Sequence, residues 1–130
     1  MSTFAVTVER IGRVWAHDNA DRLEMASLEG KDYYFIIGKG EFQAGDVVIY
    51  FPIDSVLPQW ICEALGLGGK LAGSEQNRVK TVRLRGNLSQ GVVASPQVFA
   101  SVLDAAGLQV GADVTEPLGV TKYEPPVIPS

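Results

Sequence analysis

Five cations, Lys70, Arg78, Lys80, Arg83 and Arg85, fall within sixteen residues in which Glu75 is the only acid. In the run Val79-Lys80-Thr81-Val82-Arg83-Leu84-Arg85 a strand's period of two places Arg83 and Arg85 on one face with Val79 and Thr81. Lys80 then falls on the other face, with Val82 and Leu84. Two guanidinium forks two residues apart can grip adjacent phosphates bidentately; the same spacing also suits a solvated strand face. Arg22 follows the polar turn His17-Asp18-Asn19-Ala20-Asp21 and is placed to reach a ligand. His17 could contact a phosphate or base edge, or cap the turn. Of the consecutive Tyr33, Tyr34 and Phe35, at least one must face outward, where a base could stack on it. Tyr50, Phe51 and Trp60 read as core or helix-packing residues.

Bond-making chemistry is poorly served. The chain has one histidine and one cysteine, Cys62, which leaves no intramolecular disulfide, no metal-ligand cluster and no nucleophile–base arrangement. Gly66-Leu67-Gly68-Gly69-Lys70 has the look of a phosphate loop, but its first glycine is misplaced. Leu71 also stands where a magnesium-binding hydroxyl is needed. Lys70-Leu71-Ala72-Gly73 has the outline of a nucleotidyl-transfer lysine motif but lacks an acid or histidine at Ala72. No catalytic residue, bound metal or cofactor is expected in this chain.

The elements that would position these residues are mainly β. Fourteen glycines and seven prolines in 130 residues suit many tight connections. Hydrophobic residues at 46% and charged residues at 20% suit one packed domain. Strands are expected at 4–15, bending at Gly12, and at 22–28, 33–37, 47–51, 78–85 and 88–94. Val47-Val48-Ile49-Tyr50-Phe51 is apolar on both faces and should be covered on both. Helices are expected at 58–65, stopped by Gly66, and at 96–106, stopped by Gly107. Five or six strands with one or two short helices fit a Greek-key barrel of the OB type, with a β-sandwich as the alternative. The domain should occupy 1–117 and a proline-rich linker 118–130. The net charge of −4 opposes bulk attraction to nucleic acid, which gives the local basic patch its meaning. Neither a signal peptide nor a membrane-length apolar run is visible. A lone cysteine fits a reducing compartment, so a cytoplasmic, monomeric domain without membrane contact is expected.

Two resemblances converge on these residues. His17-Asp18-Asn19-Ala20-Asp21-Arg22-Leu23, with Arg85-Gly86, Ser89, Gly91 and Ser95, resembles the signature of tRNA-binding OB domains, Asp18 replacing the usual proline. The closer resemblance spans the whole chain and is to the N-terminal OB domain of Deinococcus-type ATP-dependent RNA ligases. It rests on Gly45-Asp46-Val47-Val48-Ile49-Tyr50-Phe51-Pro52, on Asp54-Ser55-Val56-Leu57-Pro58 and on 82–91. The tail Leu118-Gly119-Val120-Thr121-Lys122-Tyr123-Glu124-Pro125-Pro126 completes it.

In that family a nucleotidyltransferase domain follows the tail, and its K-x-D-G lysine takes AMP from ATP with a divalent metal, Mg or Mn. No K-x-D-G occurs here, and in Lys122-Tyr123-Glu124-Pro125 a proline replaces the glycine. The resemblance therefore implies a binding module that helps engage a nicked RNA or RNA/DNA duplex beside a C-terminal ligase domain. Arg83, Arg85, Lys80 and Arg78 would be the phosphate contacts, joined by Lys70, Arg22 and His17. A free-standing, dimeric tRNA-binding module and an intramolecular scaffold docked on the ligase domain are the competing expectations.

Overall fold

A computed structural model describes residues 4–17, 21–31, 34–69, 71–72, 76–84, 87–104 and 108–124, without the side chains of 82–84 and 87. The strands are β1 (Thr7–Ala16), β2 (Leu23–Leu28), β3 (Tyr34–Gly38), β4 (Val47–Phe51), β5 (Ser55–Val56), β6 (Val82–Leu84), β7 (Asn87–Ser89), β8 (Val92–Ala94) and β9 (Thr121–Lys122). The helices are α1 (Gln59–Ala64), a 3-10 turn (Pro96–Phe99) and α2 (Thr115–Leu118).

An antiparallel sheet runs in the order β3-β2-β1-β4-β8. It curls until its edges meet, where the Gln90 N–H donates to Tyr34 O (2.9 Å) and the Ile36 N–H to Ser89 Oγ (2.9 Å). The result is a nearly closed five-stranded barrel with small helices, the OB architecture. Two pairs accompany it, β5 with β9 and β6 with β7.

The apolar run of β4 explains why the molecule has two cores. Val48 and Tyr50 point into the barrel with Ile11, Ala26, Phe35 and Ile37. Ile49 and Phe51 point out, against Leu57, Ile61, Phe99 and Leu118, so α1, the 3-10 turn and α2 form an outer layer. Phe35 and Phe51 are both 0% exposed, and truncating either to alanine should cost about 3–5 kcal/mol.

Gly12 bends β1, as its sequence position suggests. The pairing with β2 slips there, between Ile11↔Leu28 and Arg13↔Ser27. A Cβ on Gly12 would lie 3.2 Å from the Glu29 Cα and N atoms, so any larger residue would push the two backbones apart by a few tenths of an ångström.

Three expectations change. Residues 78–81 are not regular strand: Arg78 bridges Val56 and Ala72, the Val79 N–H donates to Ser55 O (2.8 Å), and pairing with β7 begins only at Val82. Val79 is buried while Lys80 and Thr81 are exposed, because Val79 is drawn into the outer core. The expected strand 88–94 is broken by Gly91, whose φ is 137°. The expected helix 96–106 shortens to the 3-10 turn, although the Ser95 hydroxyl caps it; residues 105–107 lie outside the described residues.

The expected linker 118–130 divides. Leu118 and Val120 are buried in the outer core and Thr121–Lys122 pairs with β5, while 125–130 lie outside the described residues.

The two ends of the described chain are joined by a short relay. The Val6 N–H donates to Thr115 Oγ1 (2.8 Å). The Thr115 hydroxyl (2.6 Å) and N–H (3.0 Å) both donate to Asp113 Oδ1. The hydroxyl bond first, and the amide bond second, hold the Asp113 carboxyl below its ordinary range.

Three substitutions test these contacts. A Cβ on Gly91 would sit 2.6 Å from Tyr50 Cε1, and the Tyr50 hydroxyl is held by Gln90 O. Gly91→Ala should therefore lower unfolding free energy by about 2–4 kcal/mol in urea titration. Gly45→Ala, with φ of 95° but open space around it, should cost only about 1 kcal/mol. The Asp113 contribution, from a lowered folded pKa, is present above the unfolded value of about 3.9 and is lost as pH falls through the folded one. Asp113→Asn should flatten that acid limb of the stability curve.

Candidate nucleic-acid interface

The slip at Gly12 decides which side chains of β1 face solvent. Beyond it Val14 joins the barrel interior, while Arg13 pairs with Ser27 and Trp15 with Met25. Ser27 in turn pairs with Tyr34, so Arg13, Ser27 and Tyr34 make one row on the outer face of β1–β3. Trp15, Met25 and Ile36 make the next.

The Arg13 guanidinium stands 5.2 Å from the Trp15 ring centroid. Trp15 meets Tyr34 edge-on at 6.1 Å and 64°. With Lys31, Glu29 and Gly30 these residues line a shallow hollow at the β2–β3 turn. Two half-buried aromatic rings flanked by an arginine and a lysine form a shelf on which bases can stack.

The sequence reading missed Arg13, Trp15 and Lys31: the slip at Gly12 sets the facing of Arg13 and Trp15, and Lys31 joins them only through the β2–β3 turn. The usable signal was an arginine and a tryptophan two residues apart, just past a glycine inside a strand. Tyr34 is the outward residue of its aromatic run and Phe35 the inward one; Tyr33 lies outside the described residues.

The residues singled out from the sequence are dispersed. His17 is buried at 5% exposure, and its N–H donates to Leu23 O (3.4 Å). Arg22 is exposed and its carbonyl accepts from the Lys39 N–H (3.0 Å), which brings a second cation to that end of β2 and β3. Lys80 is exposed.

Arg78 is committed internally. Its Nη2 lies 2.8 Å and its Nε 3.2 Å from Asp54 Oδ1, and its guanidinium sits 3.6 Å from the Tyr123 ring centroid. Tyr123 is further fixed by its N–H, which donates to Asp54 O (2.7 Å). Arg78 thereby clasps β9 and the residue after it to the barrel. Arg83 lies in the β6–β7 hairpin opposite Leu88; its side chain, like all of Lys70 and Arg85, lies outside the described residues. The hairpin leads through Ser89 and Gln90 directly to the backbone of Tyr34 and Ile36, so one strand, β3, links the basic hairpin to the aromatic shelf.

Among the described residues no three His, Cys, Asp or Glu side chains are grouped to hold a metal. The Cys62 thiol is buried, and burial pushes its pKa up, which marks it as core rather than nucleophile. Among the described residues no helix is long and apolar enough to cross a membrane.

A family model described as an OB-fold domain matches residues 5–96, and the chain belongs to that OB-fold domain family. The structure is similar to Naegleria gruberi RNA ligase with PPi, at a TM-score of 0.81 and 34% identity, over 98% of this chain and 37% of the ligase. A variant of the same ligase with ATP and Mn gives a TM-score of 0.79 at 35% identity, over 98% and 37% of the two chains. An apo variant gives 0.79 at 32%, over 97% and 37%. The chain thus spans 37% of the length of the ligase it resembles. Comparison with curated protein sequences returned no match.

The Arg78 clasp yields a distinct outcome. Arg78→Ala should lower stability by about 1 kcal/mol and speed hydrogen exchange at the Tyr123 amide. Lys80→Ala, at an exposed position, should leave both unchanged.

Proposed function

We propose that this OB domain is the nucleic-acid-binding module of an ATP-dependent RNA ligase, without catalytic residues of its own. In this reading it helps seat a 3′-hydroxyl/5′-phosphate nick with RNA on the 3′-hydroxyl side. The observation that carries the reading is the likeness to an RNA ligase over 98% of the chain at 34% identity. The outer face of β1–β3 supplies what such a role requires: Trp15 and Tyr34 to stack on bases, and Arg13, Lys31, Arg22 and Lys39 at its two ends for phosphates. Arg83 and Arg85 would extend the phosphate track along the hairpin, with Lys80 at its base and Lys70 nearby in sequence. Arg78 is committed to Asp54 and Tyr123 and His17 is buried, so neither is assigned a phosphate.

The module's contribution to sealing would be positional. Holding the duplex across the nick converts an encounter of two strand ends into a step within one complex. The ATP, the divalent metal and the lysine that carries AMP would belong to a C-terminal ligase domain, the module's partner within the same protein. A cytoplasmic setting and a monomeric domain accord with this role.

One observation favours a scaffold role alongside it. Trp60 (42% exposed), Val98 (41%) and Val102 (46%) surround the buried Phe99 on the outer layer, and the Trp60 ring meets Phe99 at 5.8 Å. This apolar surface lies on the helical layer rather than the stacking face, so the ligase domain could cover it while nucleic acid occupies the other.

The test is binding of a labelled nicked RNA/DNA duplex across a salt series. Arg83→Ala and Arg85→Ala should each weaken binding and reduce the slope of log affinity against log salt by about 0.9. Trp15→Ala should cost about 1–3 kcal/mol of binding with little change in slope. Unchanged affinity and slope in both arginine variants would remove the hairpin from the interface.

A further inference from the structure

The barrel's seam is incomplete, and the gap has chemistry of its own. β3 and the opposite edge are joined at Tyr34 and Ile36 by Gln90 and Ser89. Past Ile36 the junction opens, since the Gly38 N–H turns away to Glu41 Oε1 (2.9 Å). The opening is a cleft of about 310 Å³, at the lower edge of the roughly 300–1,000 Å³ usual for small-molecule sites. Ile36, Leu71, Val79 and Val92 form aliphatic walls. Among the described residues no aromatic ring lines it, which sets it apart from the Trp15–Tyr34 shelf.

Among the described residues four polar side chains also line the cleft: Glu41, Arg78, Lys80 and Ser89. Arg78 is paired with Asp54. The Ser89 hydroxyl accepts from the Ile36 N–H and faces Gly91 O at 3.5 Å. Exposed Lys80 remains to meet a ligand, as does the exposed Glu41 carboxylate, which takes the Gly38 N–H on Oε1 and keeps further acceptor sites. A flat occupant with apolar faces, an edge rich in N–H donors and an attached anion satisfies every one of these features. The anion can continue along the hairpin, which begins at Val82, two residues beyond Lys80.

We infer that the seam cleft binds an unstacked nucleobase with an amino-bearing edge, read by Glu41, while Lys80 meets the phosphate attached to it. The inference rests on the nucleic-acid-binding reading above and assigns it a second, base-selective site. A carboxylate only accepts hydrogen bonds. Guanine offers it two adjacent donors, N1–H and N2–H; adenine and cytosine offer an amino group. Uracil offers one N–H between two carbonyl oxygens, which the carboxylate repels. The cleft therefore favours guanine and disfavours uracil.

The probe is an oligouridylate carrying a single 2-aminopurine, whose fluorescence rises when the base leaves its neighbours for an aliphatic site and falls when it stacks on an aromatic ring. Addition of the chain should raise the signal. Leu71→Trp, which fills the cleft, should abolish the rise. Should that variant fail to fold, the surface changes Glu41→Gln and Lys80→Ala carry the test. A single guanosine in the oligouridylate should improve binding roughly fivefold or more; Glu41→Gln should erase most of that preference, and Lys80→Ala should weaken both oligonucleotides alike. Binding with falling or constant fluorescence, and with base preference unchanged in Glu41→Gln, overturns the cleft and leaves the binding role standing. Absence of binding to any of these oligonucleotides and to the nicked duplex overturns both.

Discussion

The placement of every outward-facing group on β1–β3 depends on one close contact, the approach of Gly12 to the backbone of Glu29. Because side chains alternate along a strand, a shift of one residue reverses which of them meet water. Without the slip at Gly12, Arg13 and Trp15 would point into a barrel already filled by Phe35 and Tyr50, and Val14 would lie outside. Burying a guanidinium without a partner costs several kcal/mol, so the bulge is required by the fold as much as by the surface it creates. The same small residue thus reconciles a filled interior with an aromatic, cationic exterior.

The second organising feature is β4, which serves two cores at once. Its inward residues complete the barrel and its outward ones seat α1, the 3-10 turn and α2. This arrangement assigns the two sides of the sheet different tasks. The half covered by short helices is anchored and apolar, whereas on the β1–β3 half Arg13 is exposed and Trp15 and Tyr34 are half-buried. Tyr50 couples them locally, packing on Phe35 at 5.9 Å while its hydroxyl is held by Gln90 O, next to the seam where the barrel closes.

Much of this was legible in the sequence. The strand 47–51 is found at those bounds, its apolar run reporting burial on both faces. The helix behind Pro58 and its stop at Gly66 follow from conformational preferences that need no tertiary information. The bend at Gly12 was readable, but its effect on facing was not, because a bulge is defined by the partner strand rather than by the strand that carries it. The stretch 78–81 misled for a related reason. Alternation described it well, yet Arg78 bonds Asp54 and Val79 enters the outer core, contacts with residues more than twenty positions away. Likewise 96–106 has helical composition but ends after Phe99, where Leu103 is drawn into the core. The value of Arg78 as a clasp could not be read from a cluster of cations, since its acid and its ring lie outside that cluster.

The first strand takes hydrogen bonds from the far end of the described chain: Val6 bonds Thr115, the Val8 N–H reaches Ala112 O and the Gly111 N–H reaches Val8 O. Those bonds close a loop of about a hundred residues, a costly step for an unfolded chain. The meander β1–β2–β3, by contrast, pairs neighbours through short turns. Assembly is therefore ordered by topology. The face with the stacking aromatics can form from the first forty residues, while the edge of β1 stays open until residues 111–115 arrive. During synthesis, the aromatic face of the β1–β2–β3 meander is assembled before the fold that secures it.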